Sequence, residues 1–237
     1  FCLGQYWYQV TATQDSWWTM VSGRPELSLA YFGYVERLTP ALGGYTFAPV
    51  SRSYSNATTS QSGKDYTASV VTDIVWVDDG VPAGAVITAD GGDGWTWVSN
   101  NPAPYAGTVA HQSALLSGEH QHYFYDASTN LPVAVGDTLF AYVYLDPANM
   151  PSEVMLQWYD GTWDHRAYWG ADQIEFGTSG TASQAYMGPL PAAGQWVRLS
   201  VPAGTVGVEG RTLTGMAFTL FGGRATWDAA GKAAPAP

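Results

Sequence analysis

The strongest constraint on the fold is a succession of short apolar runs that continues from Asp73 to Lys232. Gly, Pro, Asp or Asn bounds each run, and no helical period of apolar residues separates one run from the next. Such runs are typical of strands joined by turns. The predicted strands are 73–78, 85–90, 94–99, 120–126, 137–146, 153–160, 165–170, 195–202 and 212–223. Short strands without helices predict an all-β fold, an antiparallel β-sandwich of the jelly-roll type.

The chain before Asp73 has a different texture. Residues 1–38 place Trp among Gln, Thr and Ser without alternation, which predicts an irregular extension. Between residues 39 and 71, short runs such as GYTFAP and KDYTAS flank a polar loop. These words resemble the last strands of carboxypeptidase regulatory-like, or bacterial Ig-like, spacer domains, so we expect a partial Ig-like β segment there. The closing AAPAP (233–237) is typical of a linker stub that leads to other domains of a longer chain.

The acidic composition argues against several kinds of partner. With 20 Asp and Glu against 9 Lys and Arg, the formal net charge is −11. Attraction to DNA, RNA or anionic lipid is therefore not expected. No run of about 18 apolar residues occurs, so the sequence predicts no membrane insertion. The single Cys2 provides neither an internal disulfide nor a Cys-based zinc site.

Alternation along two of the predicted strands separates an apolar face from a polar aromatic face. The expected core positions of run 137–146 are Leu139, Ala141, Val143 and Leu145, opposite Phe140, Tyr142 and Tyr144. In run 153–160, Val154, Leu156 and Trp158 share one face, opposite Glu153, Met155, Gln157 and Tyr159. We expect the second set from each run to form one outer sheet face. Flat rings beside amide and carboxylate groups suit sugar rings and their hydroxyls.

The segment LQWYDGTWDHRAYWG (156–170) concentrates rings and polar groups around one Gly turn. A simple hairpin does not require so many aromatic side chains with polar tips, so we predict a ligand site here, for a polysaccharide or a surface glycan. The candidate ligand-binding residues are Tyr142, Tyr144, Glu153, Gln157, Tyr159, Trp163, His165, Arg166, Tyr168 and Trp169. Alternation puts Trp169 and His165 opposite Tyr168, so this set is wider than one face.

Two groups of residues are candidate metal ligands. His120 and His122 project from the same face of a predicted strand, and His111 is a candidate third ligand for a transition metal. Asp79 and Asp228 meet if the first and last strands pair, which leaves one structural Ca²⁺ open. The alternative for both groups is ordinary hydrogen bonding within the sheet or turns. No other cofactor is indicated.

A catalytic role stays open as an alternative. Glycosidases need a pair of carboxylates, and a lyase needs a base beside its substrate. Glu153, Asp164 and His165 are the candidate residues if their strands bring them together. The nucleophile-elbow pattern G-x-S-x-G is absent from the sequence, which argues against Ser-based hydrolysis.

Several longer words cover nearly all of 73–232, among them VWVDDGVPAGA, AHQSALLSGEHQHYFYDA and GMAFTLFGGRATWDAAGK. They resemble a module that recurs in large secreted or cell-surface proteins of soil bacteria. Its general form is similar to jelly-roll carbohydrate-binding modules. The resemblance implies a bacterial protein outside the cell, and it implies no catalytic residue set.

Three functional classes follow from these observations. A non-catalytic carbohydrate-binding module is favoured by the aromatic and polar face. A structural or adhesive cell-surface module without a sugar ligand is the second class. A glycoside hydrolase or polysaccharide lyase that uses the His and carboxylate cluster is the third.

Overall fold

The computed structural model describes residues 73–234 in full, and outside that range it describes the backbone of strands alone. The chain divides into two compact units, residues 1–72 with 235–237, and residues 73–234. The predicted irregular extension (1–38) and Ig-like segment (39–71) lie outside the fully described residues. The strands there are β1 (Cys2–Leu3), β2 (Tyr6–Trp7), β3 (Gln9–Thr11), β4 (Trp17–Thr19), β5 (Ala30–Phe32), β6 (Arg37–Ala41), β7 (Tyr45–Ala48) and β8 (Arg52–Ser53).

The second unit is built almost entirely of strands. They are β9 (Thr67–Val77), which begins in the first unit, β10 (Val86–Asp90), β11 (Thr96–Val98), β12 (Ala110–Gln112), β13 (Leu116–Tyr125), β14 (Leu131–Pro132), β15 (Thr138–Leu145), β16 (Glu153–Tyr159), β17 (His165–Gly170), β18 (Ala185–Gly188), β19 (Trp196–Pro202), β20 (Thr212–Leu213), β21 (Gly215–Gly223) and β22 (Ala225–Pro235). One 3₁₀ turn spans Ala203–Val206. No helix in the described part of the chain has the length and apolar character needed to cross a membrane.

Most of these strands form two large sheets, and β14 and β20 pair with each other in a small third one. The front sheet has six strands in the order β10-β13-β21-β16-β17-β18. The back sheet has the order β11-β12-β22-β15-β19, and β9 pairs with β22. Neighbours in the front sheet are antiparallel except for the parallel pair β17 and β18. The predicted all-β sandwich is confirmed.

The core lies between the sheets and follows the predicted alternation. Leu139, Ala141, Val143 and Leu145 of β15 are fully buried, as are Val154, Leu156 and Trp158 of β16. Both sets belong to one hydrophobic cluster. The period of two therefore assigned the inward side chains of these strands correctly.

Strand β22 differs most from the sequence prediction. Its sequence, ATWDAAGKAAP, is rich in Ala and Gly, which have low strand propensity, so no strand was predicted there. The strand nevertheless lies inside the back sheet between β12 and β15. A Cβ on Gly231 would clash with the Ile74 carbonyl oxygen, so close backbone approach requires glycine at this position. The strand continues past residue 232, into the stretch expected to be a linker, and Ala233 pairs with Thr138 of β15 and is buried.

The packing of the two sheets predicts the effect of a core truncation. Leu156→Ala removes a fully buried side chain and should lower the free energy of unfolding by about 2–5 kcal/mol. Ile87→Ala, at a strand position that is 53% exposed, is the matched control and should change it by less than about 0.5 kcal/mol. Urea denaturation of both variants measures the difference. Equal effects would contradict the assignment of the core.

Candidate functional site

A furrow runs along the outer face of the front sheet because the middle strand carries small side chains there. In β21, Met216, Phe218 and Leu220 face the core, so Gly215, Ala217 and Thr219 face outward. A Cβ on Gly215 would lie 2.5 Å from the Phe124 carbonyl oxygen. The neighbouring strands β13 and β16 carry larger outward side chains, which become the walls of the furrow.

The furrow contains a pocket of about 290 Å³. Its lining comes from five strands or their connections: Asp90, Gln121, Tyr123, Gln157, Trp163, Arg166, Phe176 and Ala217. Strand register aligns four of these residues in one row, since Tyr123 and Gln157 both pair with Ala217 and Arg166 pairs with Gln157. Pairing between distant strands therefore assembles the pocket.

A chain of hydrogen bonds crosses the floor of the pocket. The Arg166 Nε donates to the Gln157 Oε1 at 2.8 Å, and the Gln157 Nε2 donates to the Gln121 Oε1 at 2.8 Å. The Gln121 Nε2 in turn donates to the Asp90 Oδ2 at 3.3 Å. Thr219 adds a bond from its Oγ1 to the Gln121 Oε1 at 2.9 Å. The network fixes the amide orientations before any ligand arrives.

Two charged side chains, Arg166 and Asp90, stand at opposite ends of this chain of hydrogen bonds. Arg166 is 8% exposed, and its Nη1 also donates to the Ser183 carbonyl oxygen at 3.1 Å. Burial lowers the pKa of Arg166, but the guanidinium stays protonated at neutral pH. Burial, followed by the hydrogen bond to Asp90, raises the pKa of Tyr123, so its hydroxyl keeps a proton to donate. The pocket thus offers cationic, anionic, amide and hydroxyl groups.

Aromatic rings surround these polar groups. The Trp163 ring lies 4.9 Å from the Tyr159 ring and 5.6 Å from the Tyr123 ring. Phe176 reaches the pocket from the loop after β17, and the Arg166 guanidinium lies 5.8 Å from the centre of its ring. Sugar rings present apolar faces to rings of this kind and hydroxyls to the polar groups between them.

The other half of the outer face of the front sheet is covered by a segment of the chain, residues 171–184. Ile174 of this segment packs with Met155 and Tyr168 in a second apolar cluster. The Glu153 Oε2 accepts hydrogen bonds from the Gln173 and Ile174 backbone N–H groups, at 2.6 and 2.9 Å. Burial raises the pKa of Glu153. Glu153 and Tyr168, which the sequence predicts as ligand contacts, lie beneath this covering segment instead. Glu153 accepts hydrogen bonds from the backbone of the segment, and Tyr168 packs against its Ile174.

The predicted catalytic set does not come together. His165 pairs with Trp158 at one end of the β16–β17 hairpin, whereas Glu153 pairs with Gly170 at the other end. The His165 Nδ1 lies 2.6 Å from the Val206 carbonyl oxygen on the core side of the sheet, and Asp164 is exposed. Trp169 also belongs to the core cluster. The expectation that Glu153, Asp164 and His165 form one site is wrong, because alternation and strand length separate them.

Tyr142 and Tyr144 lie on a different sheet from the pocket. Both belong to β15 of the back sheet, and the Tyr142 ring stacks on Tyr105 with 3.6 Å between ring centres. Tyr144 lies 5.8 Å from Trp196. The prediction of one shared outer face for β15 and β16 is wrong, because these consecutive strands belong to opposite sheets, as is common in β-sandwiches.

The three candidate metal-binding histidines form a hydrogen-bonded network with Asp93. The Asp93 Oδ2 lies 3.2 Å from the His120 Nδ1 and 3.1 Å from the His122 Nδ1. The His122 Nε2 lies 2.8 Å from the His111 Nδ1, which comes from the back sheet. Hydrogen bonds from His120, among other contacts, lower the pKa of Asp93 although burial opposes the shift. The ionised Asp93 therefore accepts both bonds, and the network joins the two sheets.

Asp79 and Asp228 hold a loop of the chain. The Asp79 Oδ1 accepts from the Thr108 and Val109 backbone N–H groups, at 2.6 and 2.9 Å. The Asp228 Oδ2 accepts from the Tyr105 N–H at 2.7 Å. Across the residues described in full, no group of three or more His, Cys, Asp or Glu side chains is placed to hold a metal ion. Backbone N–H groups and neighbouring side chains engage the candidate ligands of both metal sites, which is the hydrogen-bonding alternative that the sequence left open.

The sequence prediction includes some of the pocket residues and omits others. Gln157, Trp163 and Arg166 line the pocket, and Tyr159 contacts Trp163. The missed residues are Asp90, Gln121, Tyr123, Phe176 and Ala217. The alternation of HQHYFY carried a signal for Gln121 and Tyr123, since these residues alternate with His120, His122 and Phe124. Phe176 lies in a loop, where no periodic pattern exists.

No family model matches this sequence. No curated protein matches it at a significant level. Among solved structures, the glycoside hydrolase domain of Endo-D from Streptococcus pneumoniae is 10% identical with a TM-score of 0.37, and the match covers 63% of this chain and 21% of that one. A structure of the carbohydrate-binding modules from the β-sandwich superfamily is 10% identical with a TM-score of 0.43, covering 92% and 97%.

An adhesin domain is also similar to this chain. The K3 adhesin domain of Lys-gingipain from Porphyromonas gingivalis is 17% identical with a TM-score of 0.40, covering 69% of this chain and 99% of that one. This chain spans about a fifth of the length of the Endo-D domain and nearly the whole of the other two.

The role of Glu153 predicts the effect of removing its carboxylate. Glu153→Ala leaves two backbone N–H groups of the covering segment without an acceptor, one of them on the buried Ile174, and should lower the free energy of unfolding by about 1–3 kcal/mol. Limited proteolysis should then cleave within residues 171–184 faster than in the unsubstituted protein. Glu153→Gln, which keeps one side-chain oxygen, is the matched control. A digestion pattern unchanged in Glu153→Ala would show that the carboxylate does not hold the segment.

The buried His111 predicts a loss of stability in mild acid. Burial, and then the electrostatic effect of the adjacent His122 imidazole, places the pKa of His111 well below its usual 6.5, so the unfolded chain binds a proton that the folded protein excludes. The free energy of unfolding should therefore fall as the pH drops below 6.5, by up to about 1.4 kcal/mol per pH unit. Urea denaturation between pH 7.5 and about 5 measures the slope. His111→Gln, which keeps an N–H donor for His122, should reduce it; an equal slope would exclude His111 as the cause.

Proposed function

We propose that residues 73–234 are a non-catalytic carbohydrate-binding module whose ligand site is the front-sheet pocket. The observation that carries this proposal is the lining of the pocket, in which aromatic rings stand around a pre-oriented chain of polar groups. Carbohydrate has the complementary chemistry, since each sugar ring combines apolar C–H faces with an edge of hydroxyls. The amide groups of Gln121 and Gln157 and the Arg166 guanidinium would bind hydroxyl oxygens or hydrogens.

Binding is favoured over hydrolysis by the carboxylates available. Hydrolysis of a glycosidic bond ordinarily needs two carboxyl groups that flank the bond. Within the described part of the chain, Asp90 is the one carboxylate among the residues that line the pocket. Glu153 is covered by residues 171–184 and its carboxylate holds their backbone. A binding module needs no such pair.

The contact residues proposed are Gln157, Tyr159, Trp163 and Arg166, together with Asp90, Gln121, Tyr123 and Phe176. Tyr159 is included because its ring contacts Trp163 at the edge of the pocket. We also propose that the protein acts outside a bacterial cell, at the surface or in the medium, where polysaccharide is accessible. Other domains of a longer chain would then bring the bound glycan to their own partners.

The first experiment is a depletion screen with the full chain against insoluble and soluble polysaccharides. Bound protein and new reducing or unsaturated ends are read from the same samples. Depletion without new ends is the expected result. New ends would overturn the non-catalytic assignment, and failure to deplete on any polysaccharide would favour a structural or adhesive module.

Substitutions then test whether the front-sheet pocket binds the glycan found in the screen. Trp163→Ala should weaken binding by roughly 1–3 kcal/mol, about a five- to 150-fold rise in Kd, because it removes a ring at the edge of the pocket. Tyr144→Ala on the back sheet is the matched aromatic control and should leave Kd unchanged. Isothermal titration measures both, and circular dichroism checks the fold. Loss of affinity in Tyr144→Ala alone would move the site to the opposite sheet.

A further inference from the structure

We infer that the front pocket binds the terminal sugar of a main chain or branch, and that internal units of a polysaccharide do not enter it. This inference rests on the proposed function, because it names the part of a glycan that the same pocket takes. The geometry that carries it is the closure of the furrow on β21 at both ends. A linear polysaccharide bound through internal units needs a trough that is open in both directions.

The first closure lies at the Gly215 end of the furrow. The Tyr125 ring of β13 and the Tyr159 ring of β16 belong to the two strands that flank β21, and their centres are 6.1 Å apart. Gly215 lies between them, since Tyr159 pairs with Gly215 and a Cβ there would meet the Tyr125 Cα at 2.8 Å. The two rings therefore meet across an outward position of the strand that has no side chain.

Trp163 reinforces this closure from above. Its ring contacts Tyr159 on one side of β21 and Tyr123 on the other, with centres at 4.9 and 5.6 Å. A ring that contacts both flanking strands must reach across the furrow. Four aromatic rings thus separate the pocket from the strand end at Gly215, those of Tyr123, Tyr125, Tyr159 and Trp163.

The second closure lies at the Thr219 end. Here the floor of hydrogen bonds from the Gln157 Nε2 to the Gln121 Oε1 and the Thr219 Oγ1, both at 2.8 Å, lies below a wall that the covering segment forms. Phe176 stands at the pocket on the covering segment, and Ile174 of that segment packs on Met155. Because Glu153 binds the backbone of the same segment, this end is closed by chain that is held in place.

The space between the closures has the features needed for one sugar unit. Trp163 and Phe176 supply apolar surfaces toward opposite ends, while Asp90 and Arg166 stand on opposite sides of β21, Asp90 level with Thr219 and Arg166 level with Ala217. A terminal unit meets these groups with all of its free hydroxyls. An internal unit carries a glycosidic bond on two sides and would drive the next residue of the chain into Trp163 or Phe176.

The test varies the number of polysaccharide ends while the mass of polysaccharide stays constant. The soluble polysaccharide that binds best in the depletion screen is hydrolysed partially to give samples with equal mass and a two- and fourfold number of ends, measured by a reducing-end assay. The full chain is titrated with each sample. Protein bound per gram at saturation should rise two- and fourfold. Capacity that stays constant per gram would overturn the inference while leaving carbohydrate binding intact.

A chain-length series gives the second readout. Kd for the disaccharide, trisaccharide and hexasaccharide of the same sugar should agree within about threefold, with one protein bound per chain. A rise in affinity of more than tenfold from disaccharide to hexasaccharide would show internal subsites and overturn the inference. If no saccharide binds in the screen or in this series, the proposed function itself fails, which is a different result from either of these.

A variant that opens one end of the pocket tests whether the closed ends exclude internal sugar units. Phe176→Ala removes the ring at the Thr219 end and should reduce the dependence of capacity on the number of ends, because internal units then gain access. Tyr186→Ala, on the exposed edge strand β18, is the aromatic control and should keep the dependence of the unsubstituted protein. If the binding capacity of Phe176→Ala depends on chain ends as strongly as that of the unsubstituted protein, Phe176 does not close its end of the pocket. The closure then depends on Trp163 at the opposite end.

Discussion

Strand β21 has one face against the core and one face toward the outside, and the side chains on these two faces shape both surfaces of the front sheet. Its inward side chains are large and fill the space between the sheets, with Phe218 and Leu220 fully buried. Its outward positions Gly215, Ala217 and Thr219 carry small side chains or none, so the walls on β13 and β16 stand above a furrow there. Since β21 lies in the middle of the sheet, the furrow has strands on both sides and becomes a pocket.

Buried polar groups fix the parts of the structure around that pocket. Asp93 and three histidines join the two sheets behind β13, the strand whose outward side chains include Gln121 and Tyr123. Glu153 holds the covering segment that carries Phe176. In both places a buried carboxylate accepts hydrogen bonds that would otherwise be unsatisfied. The same chemistry that suggested metal or catalytic sites in the sequence is used here to hold backbone and side chains in place.

The sequence predicted the fold better than it predicted the site. Strands with strict alternation, such as β15 and β16, were found with the correct inward faces, because a period of two is a local property. Strand β22 was missed because Ala and Gly do not favour strands, and its place in the sheet depends on the close approach of β9 at Gly231. In the site, Gln157, Trp163 and Arg166 come from one hairpin and were found together. Asp90 and Phe176 were missed, because a distant strand and a loop bring them to the pocket.

The sequence by itself determined that this part of the chain forms a β-sandwich, since alternating runs between turn residues leave no other way to bury one face of each strand. It also determined which side chains of β15 and β16 enter the core. Only the tertiary structure decided which outer face has a pocket. Strand order placed Tyr142 and Gln157 on opposite sheets, and residues 171–184 covered Tyr168 while leaving Arg166 at the pocket. Those outcomes depend on pairing between residues far apart in the chain, which no local period encodes.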